Sequence, residues 1–347
     1  MTRRKKKKRV SPIRRAGKIA YRTLVAFSAV IVVLFCAYRL GIKKPSVAQA
    51  PPVSTASPQV TGNPDTPEEE SQGPERKPDT YTFLLAASDQ VGGGADTIMV
   101  CMYDTVNQEV GLLSVPRDTL VDREFPKINA VYSQGPEVLM ETVSDMLGIP
   151  IDNYVTVNIN GFVELVDAVD GIDFDVPVYM NYYAPDQNLR IRYDPGMQHL
   201  TGQQALEVAR CRKNSDGPGE YPDNIYDAYP DADIGRTRTQ QAMISAILKK
   251  LLANPQKTPQ YVEILSEHVQ TDLSLRELLW FVEPALGFDF SNGLQSGTLT
   301  GDGTVRYNGV SWCYQLDPDA ALELVNDLVN PYTTDITAGQ MNIFQAQ

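Results

Sequence analysis

Apolar residues recur in two spacings along the chain, and both predict regular secondary structure. Three short runs rich in β-branched and aromatic residues, each bounded by polar positions, predict buried strands. These runs are 81–87, 97–103 and 109–115. Only residues 104–108 separate the last two, which is the length of a hairpin connection. Apolar residues at helical spacing in 135–148 predict an amphipathic helix that ends at Gly148.

Strand and helix patterns then alternate to near the C-terminus. Predicted strands at 153–159 and 171–178 flank a helix whose N-cap is expected at Asn160. The later predicted elements are helices at 202–209, 233–252, 259–268, 274–286 and 317–328 and strand segments in 294–305. Such alternation is typical of an α/β fold, so we predict a single layered α-β-α domain with helices on both faces of the sheet. The early hairpin makes the sheet mixed, and strand chirality makes it twisted.

The N-terminal region differs from the rest of the chain in charge and hydropathy. Residues 1–44 contain 14 of the 31 lysines and arginines and no acidic residue, which leaves 17 basic against 43 acidic side chains beyond them. The largely apolar stretch 23–42 is long enough to span a bilayer. Because most of the basic residues precede this stretch, the positive-inside rule predicts a cytoplasmic tail at 1–22, a transmembrane helix at 23–42 and the remainder outside the cell.

A cleaved signal peptide is the alternative reading of the same region. Ala48-Gln49-Ala50 resembles a cleavage site with small residues, but Pro51 directly after Ala50 disfavours cleavage. We therefore predict a single-pass protein of the cytoplasmic membrane, held there by its N-terminus.

Composition divides the extracellular part further. Residues 43–79 are rich in proline and poor in large apolar side chains, which predicts an extended linker. Residues 80–254 form the first predicted domain, and 255–347 either complete it or form an accessory lobe. The acidic excess would repel a nucleic-acid backbone, and the short basic tail could bind nucleic acid only without specificity. With two histidines in the chain, a histidine-rich metal centre is disfavoured.

Two aspartates bracket a glycine loop between the first two predicted strands. In AASDQVGGGADT (86–97), Asp89 follows the first strand and Asp96 opens the second. Carboxylates at neighbouring strand ends can hold one cation. Mg²⁺ fits best, because it keeps several waters and takes further ligands from phosphates. The alternative is a polar turn with two solvated aspartates.

Arginines lie at the ends of other predicted elements. They are Arg117 in SVPRDT, Arg210 and Arg212 in VARCRKN, and Arg236 and Arg238 in DIGRTRTQQ. Guanidinium donors match phosphate oxygens, and the first turn of a helix, where Arg236 is predicted, is itself an anion site. Each has a structural alternative, such as an Arg–Asp pair in a turn for Arg117. Together with the aspartates, they predict a site for a polyphosphate and its divalent metal.

In this order, the motifs resemble those of the LytR–CpsA–Psr family of cell-envelope enzymes. The resemblance extends over 81–252 and includes KINAVYSQGPE, DNYVTVNINGFVELVDAVDGIDFDVP and GMQHLTGQQALEVARCRKN. It implies a membrane-anchored enzyme of Gram-positive cells. Such an enzyme transfers a phosphate-linked glycopolymer, such as teichoic acid or capsule, from a polyprenyl pyrophosphate carrier to peptidoglycan. It also implies Mg²⁺ binding by Asp89 and Asp96 and pyrophosphate binding by Arg117, Arg210, Arg212 and Arg236.

Three positions depart from the family pattern. Gly94-Ala95 stand where a polar residue usually precedes the second aspartate, and Ala86-Ala87 replace a glycine before the first. Thr239 stands where many members have an arginine before the QQ pair. The sequence leaves open whether Arg238, one place earlier, takes over that contact.

The expected reaction is attack of a wall sugar hydroxyl on the sugar-linked phosphorus, while Mg²⁺ and the arginines neutralise the leaving lipid phosphate. Asp96 is also a candidate base for that hydroxyl. One alternative is a pyrophosphate hydrolase that acts on the same donor with water as acceptor. Another is a non-catalytic module that binds polyprenyl phosphate or the wall. A transcriptional attenuator is disfavoured, because only the short basic tail is predicted to face the cytoplasm.

Overall fold

A computed structural model describes most of the chain from residue 74 onwards, together with a short earlier segment. The described residues are 42–48, 74–88, 93–185, 189–215, 225–230, 233–286, 288–290 and 292–346. Asp89, the predicted tail, the predicted transmembrane helix up to residue 41 and most of the predicted linker lie outside them. Among the residues that are described, no helix combines the length and the hydropathy needed to cross a bilayer.

The chain divides into two compact units, one of Met1–Pro45 with Ser274–Phe281 and one of Ser46–Leu273 with Val282–Gln347. In the described part of the smaller unit, the Lys43 ammonium donates to Glu277 Oε1 at 2.8 Å. The other oxygen of Glu277 accepts from the backbone N–H of Ser274 at 3.0 Å. Chiefly because of the Lys43 hydrogen bond, the pKa of Glu277 is lowered to about 2.

The larger unit contains a six-stranded mixed sheet, which confirms the mixed α/β class. In spatial order its strands are β11 (Val269–Thr271), β4 (Asn153–Asn158), β1 (Thr80–Ser88), β2 (Ala95–Asp104), β3 (Glu109–Ser114) and β12 (Leu294–Thr298). The β2–β3 hairpin is antiparallel as predicted, whereas β1 pairs with β4, and β3 with β12, in parallel. Two strands of the C-terminal third, β11 and β12, are thus edge strands of the sheet that β1 to β4 form.

Most central positions of this sheet are buried on both faces. Leu84, Val100 and Leu113 lie side by side on one face and belong to the main core. Phe83 and Leu112 lie on the opposite face and are also buried. Strands covered on both faces appear in a sequence as continuous apolar runs, which is why three such runs predicted these strands.

Eight α-helices are found among the described residues. They are α1 (Ile128–Val131), α2 (Pro136–Leu147), α3 (Ile159–Ala168), α4 (Gly202–Arg210), α5 (Asp233–Ala253), α6 (Thr258–His268), α7 (Leu275–Ala285) and α8 (Pro318–Leu328). Buried side chains of α2 and α8 pack with the central sheet in the main core. The α2 helix ends at Gly148, which has the left-handed conformation expected of a C-cap.

A second hydrophobic core lies among α3 to α6 and four short strands. These strands form two antiparallel pairs, β5 (Ile172–Val176) with β8 (Gly196–Leu200) and β6 (Met180–Ala184) with β7 (Leu189–Tyr193). The prediction of Asn160 as the cap of α3 was wrong. Asn158 is the N-cap, because its extended backbone lets its side chain accept from the Gly161 N–H at 2.8 Å, whereas Asn160 is already helical.

Two more antiparallel pairs complete the fold, β9 (Lys213–Ser215) with β10 (Ile225–Asp227) and β13 (Gly301–Tyr307) with β14 (Val310–Leu316). The sequence pattern did not predict β14. Asn308 and Gly309 connect β13 to β14, both with left-handed φ angles of 48° and 81°. An Asn-Gly pair of this conformation is the favoured two-residue hairpin turn, so the local signal was present.

Candidate active site

A cleft of about 440 Å³ opens where the turn after β3 meets the end of α4, the start of α5 and the β13–β14 hairpin. Its lining includes Arg117, Arg212 and Lys213. Two of the predicted arginines are therefore brought together although 95 positions separate them in the chain. We call this the arginine cleft.

The turn that carries Arg117 is fixed by backbone and hydroxyl hydrogen bonds. Thr119 donates to the Pro116 carbonyl twice, from its N–H at 3.0 Å and from its hydroxyl at 2.7 Å. Next to the turn, α1 adds two backbone bonds, from Asn129 to the Arg117 carbonyl at 3.1 Å and from Ile128 to the Thr119 carbonyl at 2.8 Å. The buried Ile128 anchors α1 in the main core, so the KINA motif holds the arginine in place.

Arg117 forms an ion pair with Asp96 through Nη1 and Oδ1. The side chains of Arg117 and Asp96 remain 30% and 36% exposed. Asp118, the sequence neighbour of Arg117, pairs instead with Lys127 at 3.2 Å and lies 3.9 Å from Arg117 Nε. Arg117 Nε is buried and has no hydrogen-bond partner among the described residues, and the bond from Arg117 engages only Oδ1 of Asp96. The ion pair therefore does not use the Nε donor of Arg117 or the Oδ2 acceptor of Asp96.

The second side of the arginine cleft follows α4. A capping box of Thr201 and Gln204 starts this helix, and Arg210 is its last residue. Cys211 is extended, so the chain leaves the helix before Arg212. Arg210 and Arg212 could bind one ligand only if the helix ended near Ala209, and it ends one residue later. Arg212 lines the cleft, whereas Arg210 is exposed and is not part of the lining.

The third side is the first turn of α5. Ile234 and Thr237 line the cleft, and Arg236 lies in the same turn with only 7% of its surface exposed. A Cβ at position 235 would lie 2.5 Å from the ring of Tyr229, so only glycine allows Tyr229 to pack against this turn. Burial raises the pKa of Tyr229 to about 12, and its hydroxyl therefore stays neutral. The free N–H groups of a helix start, next to Arg236, favour an anion.

Thr239 does not face the cleft. It is buried, and its hydroxyl donates to the Gly235 carbonyl one turn earlier at 3.1 Å. Arg238 is exposed and does not line the cleft either. Neither Thr239 nor Arg238 therefore lines the cleft in the position where many family members have an arginine before the QQ pair.

Sequence reasoning missed the role of the two glutamines that follow. The Gln240 side chain donates to the Ala209 carbonyl at 3.1 Å, which ties α5 to the end of α4 beside Arg210. Gln241 is buried and donates to Ser114 Oγ and to the Gly297 carbonyl, both at 2.8 Å. The QQ pair thus joins α5 to β3 and β12 and fixes the position of the first turn. The available signal in the sequence was the pair of adjacent glutamines that follows the arginines of DIGRTRTQQ.

The predicted metal site is only partly covered by the described residues. Asp96 is the second residue of β2, and Asp89 lies outside the described part. Ser88 pairs with Ala95, and these two residues directly precede Asp89 and Asp96 in the sequence. No group of three or more potential metal ligands occurs within the described ranges. Oδ2 of Asp96, which the bond from Arg117 does not use, is the kind of hard oxygen that Mg²⁺ prefers.

The fourth side of the cleft was not anticipated. Thr298 at the end of β12 lines it, as do Gly303, Trp312 and Tyr314 from the β13–β14 hairpin. Thr298 Oγ1 is buried and has no hydrogen-bond partner in the described part of the chain. No sequence pattern placed this hairpin beside Arg117, because the contact joins segments about 200 residues apart.

Residues 52–330 match the LytR_cpsA_psr family. The chain is 33% identical over 261 residues to the polyisoprenyl-teichoic acid–peptidoglycan teichoic acid transferase TagV of Bacillus subtilis (strain 168), a match that covers 71% of this chain and 62% of that protein. It is 31% identical over 244 residues to a transferase of the same kind, TagU of Halalkalibacterium halodurans, covering 67% and 73% of the two chains. The crystal structure of B. subtilis TagV gives a TM-score of 0.58 at 27% identity, over 72% of this chain and 95% of the other. The chain spans less than two thirds of the full length of B. subtilis TagV.

Proposed function

Because the chain belongs to the LytR_cpsA_psr family, we propose that it is a phosphotransferase that moves a phosphate-linked glycopolymer from a polyprenyl pyrophosphate carrier to peptidoglycan. The names of its relatives TagV and TagU describe this reaction for teichoic acid. The observation that carries the proposal is that Arg117, which is ion-paired with Asp96, lines a cleft together with Arg212, Lys213 and the first turn of α5.

The cleft offers a pyrophosphate several kinds of positive partner. Arg117 lines the cleft with a side chain that is 30% exposed, and Arg212 and Lys213 add two exposed cations. Guanidinium groups bind phosphate oxygens with two parallel donors, and the first turn of α5 adds backbone N–H groups. Such preorganised donors stabilise charge that develops on a leaving phosphate, which is the main task in phosphoryl transfer.

In the proposed step, a sugar hydroxyl of peptidoglycan attacks the phosphorus bonded to the donor sugar. The new P–O bond forms as the bond from this phosphorus to the bridging oxygen breaks, and the polyprenyl monophosphate leaves with the electron pair. Asp118 is held by Lys127, so Asp96 is the candidate to accept the hydroxyl proton through Oδ2. The products are a sugar phosphodiester on the wall and the lipid phosphate.

We further propose that Asp96 and Asp89 hold Mg²⁺. When bound there, the ion supplies positive charge that neutralises the pyrophosphate oxygens. Arg210 and Arg236 complete the proposed phosphate-binding set, Arg236 from within the first turn of α5. For location, we propose that residues 23–42 anchor the enzyme in the cytoplasmic membrane and that the cleft lies outside the cell.

The reaction can be tested on the full chain in detergent. It would be incubated with Mg²⁺, a short lipid-pyrophosphate glycan and peptidoglycan oligomers, and the products would be identified by mass spectrometry. We expect a phosphodiester-linked product that requires both the acceptor and Mg²⁺. Release of lipid phosphate at the same rate without acceptor would identify a hydrolase instead, and donor binding without turnover would identify a non-catalytic module.

A further inference from the structure

Trp312 is a large apolar side chain that the fold leaves in solvent at the rim of the arginine cleft. It is 68% exposed, although tryptophan is one of the most buried residue types on average. It also lines the cleft together with Arg117 and Arg212. Tryptophan is enriched at binding interfaces, because its ring offers a large apolar area and its indole N–H a polar contact.

The backbone at Trp312 is held in a conformation that tryptophan disfavours. Its φ angle is 62°, in the left-handed region, which a residue other than glycine adopts only with strain. The neighbouring turn explains the left-handed angles of Asn308 and Gly309, but it does not extend to Trp312. Strain of this kind is kept mainly where the fold uses the direction of the side chain.

A β-bulge produces this conformation. In the hairpin, Tyr307 pairs with Val310 and Val305 pairs with Cys313, so two residues of β14 lie opposite the single residue 306. Those two residues are Ser311 and Trp312. A bulge redirects the side chains of its strand, and bulges are frequent next to active sites.

The hairpin is fixed to the segment that carries Arg117. The Tyr314 N–H donates to the Asp118 carbonyl, and the Tyr314 carbonyl accepts from the Leu120 N–H, both at 2.8 Å. This bridge between Thr119 and Tyr314 is parallel. Trp312 and Arg117 each lie two positions before a bridged residue, and both line the cleft. The paired backbone therefore holds Trp312 and Arg117 at the same cleft.

The neighbouring groups suit a sugar. The C–H faces of a pyranose ring pack well on an indole, while its hydroxyls need hydrogen-bond partners, and ligand sites commonly combine aromatic walls with a few polar groups. Thr298 Oγ1, which lines the same cleft, has no partner among the described residues. A ligand with an anionic group at Arg117 and a sugar ring at Trp312 would use both the aromatic wall and the polar groups of the cleft.

We propose that Trp312 is the stacking platform for a pyranose ring of the substrate that lies next to the reacting phosphate group. This inference rests on the proposed transferase function and adds the part of the site that recognises sugar rather than pyrophosphate. The ring belongs either to the lipid-linked donor or to the wall acceptor, and both present the same chemistry to the indole.

The substitution Trp312→Gly separates a binding role from a structural one. Glycine adopts the left-handed conformation without strain, so the melting temperature of the variant should equal or exceed that of the wild type. Loss of stacking should raise KM for one glycan substrate roughly tenfold, and Trp312→Tyr should restore most of the loss. Met197→Ala removes an apolar side chain of similar exposure, 70%, outside the cleft and should leave both KM values unchanged. A raised donor KM assigns the ring to the donor, and a raised acceptor KM assigns it to the acceptor.

Wild-type KM values for both substrates in Trp312→Gly would overturn the proposal, as would a loss that Trp312→Tyr does not restore. A binding measurement keeps the test independent of turnover. The chain has two tryptophans, so Trp280→Phe leaves Trp312 as the only indole emitter. Its fluorescence should change with a short polyprenyl pyrophosphate disaccharide or with a peptidoglycan disaccharide, and much less with the sugar-free polyprenyl pyrophosphate. An unchanged signal with both glycans contradicts the platform, whereas a change without any transfer product would contradict only the transferase function.

Discussion

Two Arg–Asp ion pairs in this protein have the same chemistry and opposite surroundings. In the Arg76–Asp152 pair the side chains are 15% and 0% exposed, whereas in the Arg117–Asp96 pair they are 30% and 36% exposed. Asp152 also accepts from the Ala48 N–H at 2.6 Å and the Thr82 N–H at 2.7 Å, and Arg76 donates to the carbonyls of Ala48 and Thr80. The first pair is thus saturated by protein groups.

The Arg117–Asp96 pair is not saturated. Arg117 Nε has no hydrogen-bond partner among the described residues, the bond from Arg117 uses only Oδ1 of Asp96, and Arg117 lines the cleft. Unused donors and acceptors at a cleft are available to a ligand, whereas fully used ones only hold the fold. We therefore regard Arg76–Asp152 as a structural pair, which connects residues 48 and 76 to the sheet. We regard Arg117–Asp96 as a functional pair.

The largest effect should come from breaking the saturated pair. Asp152→Ala leaves Arg76 and the Thr82 N–H without their acceptor in a buried place. We expect a loss of about 3–5 kcal/mol in the free energy of unfolding, because an uncompensated buried charge remains. Urea unfolding followed by circular dichroism measures it. A loss below about 1 kcal/mol, the usual range for an exposed pair, would contradict the structural assignment.

Asp96→Asn should instead reduce transfer and spare the fold. The substitution keeps the shape of the side chain and removes the charge that the proposed metal and the proton transfer require. We expect turnover to fall about 10²- to 10³-fold, as when one group that stabilises transition-state charge is removed. The melting temperature should change little. Asp122→Asn, at an exposed position near the same turn, is the matched control. Equal turnover of the two variants would refute the role of Asp96.

Arg212 and Arg238 extend the comparison to two exposed arginines. Only Arg212 lines the cleft, so Arg212→Ala should raise the KM for the donor roughly tenfold, the range expected for one charge-assisted contact. It should also make the donor KM less sensitive to salt, because one screened charge is gone. Arg238→Ala should behave as the wild type. A larger rise in the donor KM for Arg238→Ala than for Arg212→Ala would show that Arg238 takes over the role of the arginine that many family members have at position 239.

Thr298→Val should give the smallest effect. The change removes a buried hydroxyl that has no hydrogen-bond partner in the described structure and keeps the β-branched shape. Stability should therefore be unchanged or higher by up to about 1 kcal/mol. Substrate affinity should fall about threefold if the hydroxyl binds the ligand, which steady-state kinetics would detect. A clear drop in melting temperature would show that the hydroxyl serves the fold.

The sequence predicted the elements of the fold better than their contacts. β1, β2 and β3 follow from their apolar runs, and the ends of α2 and α5 agree with their helical patterns within a few residues. These features are local, since burial on two faces and a C-cap glycine leave a signal in adjacent positions. The hairpin turn Asn308-Gly309 left such a signal too, and β14 was nevertheless missed.

Partners distant in sequence could not be predicted in the same way. Asp118, next to Arg117, was the obvious candidate for an ion pair, but the pair forms with Asp96 on a neighbouring strand. The position of Trp312 depends on a bulge and on a bridge to Thr119, and neither is encoded in spacing. The motifs predicted which charged residues belong to the site. Only the fold shows which of them line the cleft and which are used by other protein groups.

The role of the arginine cleft is tested most directly by the transfer rate of Arg117→Ala relative to that of Arg123→Ala. Both variants remove an arginine from the segment after β3, but Arg123 donates to Gln134 and Thr142 and does not line the cleft. With lipid-pyrophosphate glycan, Mg²⁺ and peptidoglycan oligomers, we expect Arg123→Ala to form the phosphodiester product at close to the wild-type rate. The rate for Arg117→Ala should fall at least about a hundredfold at an unchanged melting temperature. Equal rates for the two variants would contradict the assignment of the arginine cleft as the site of transfer.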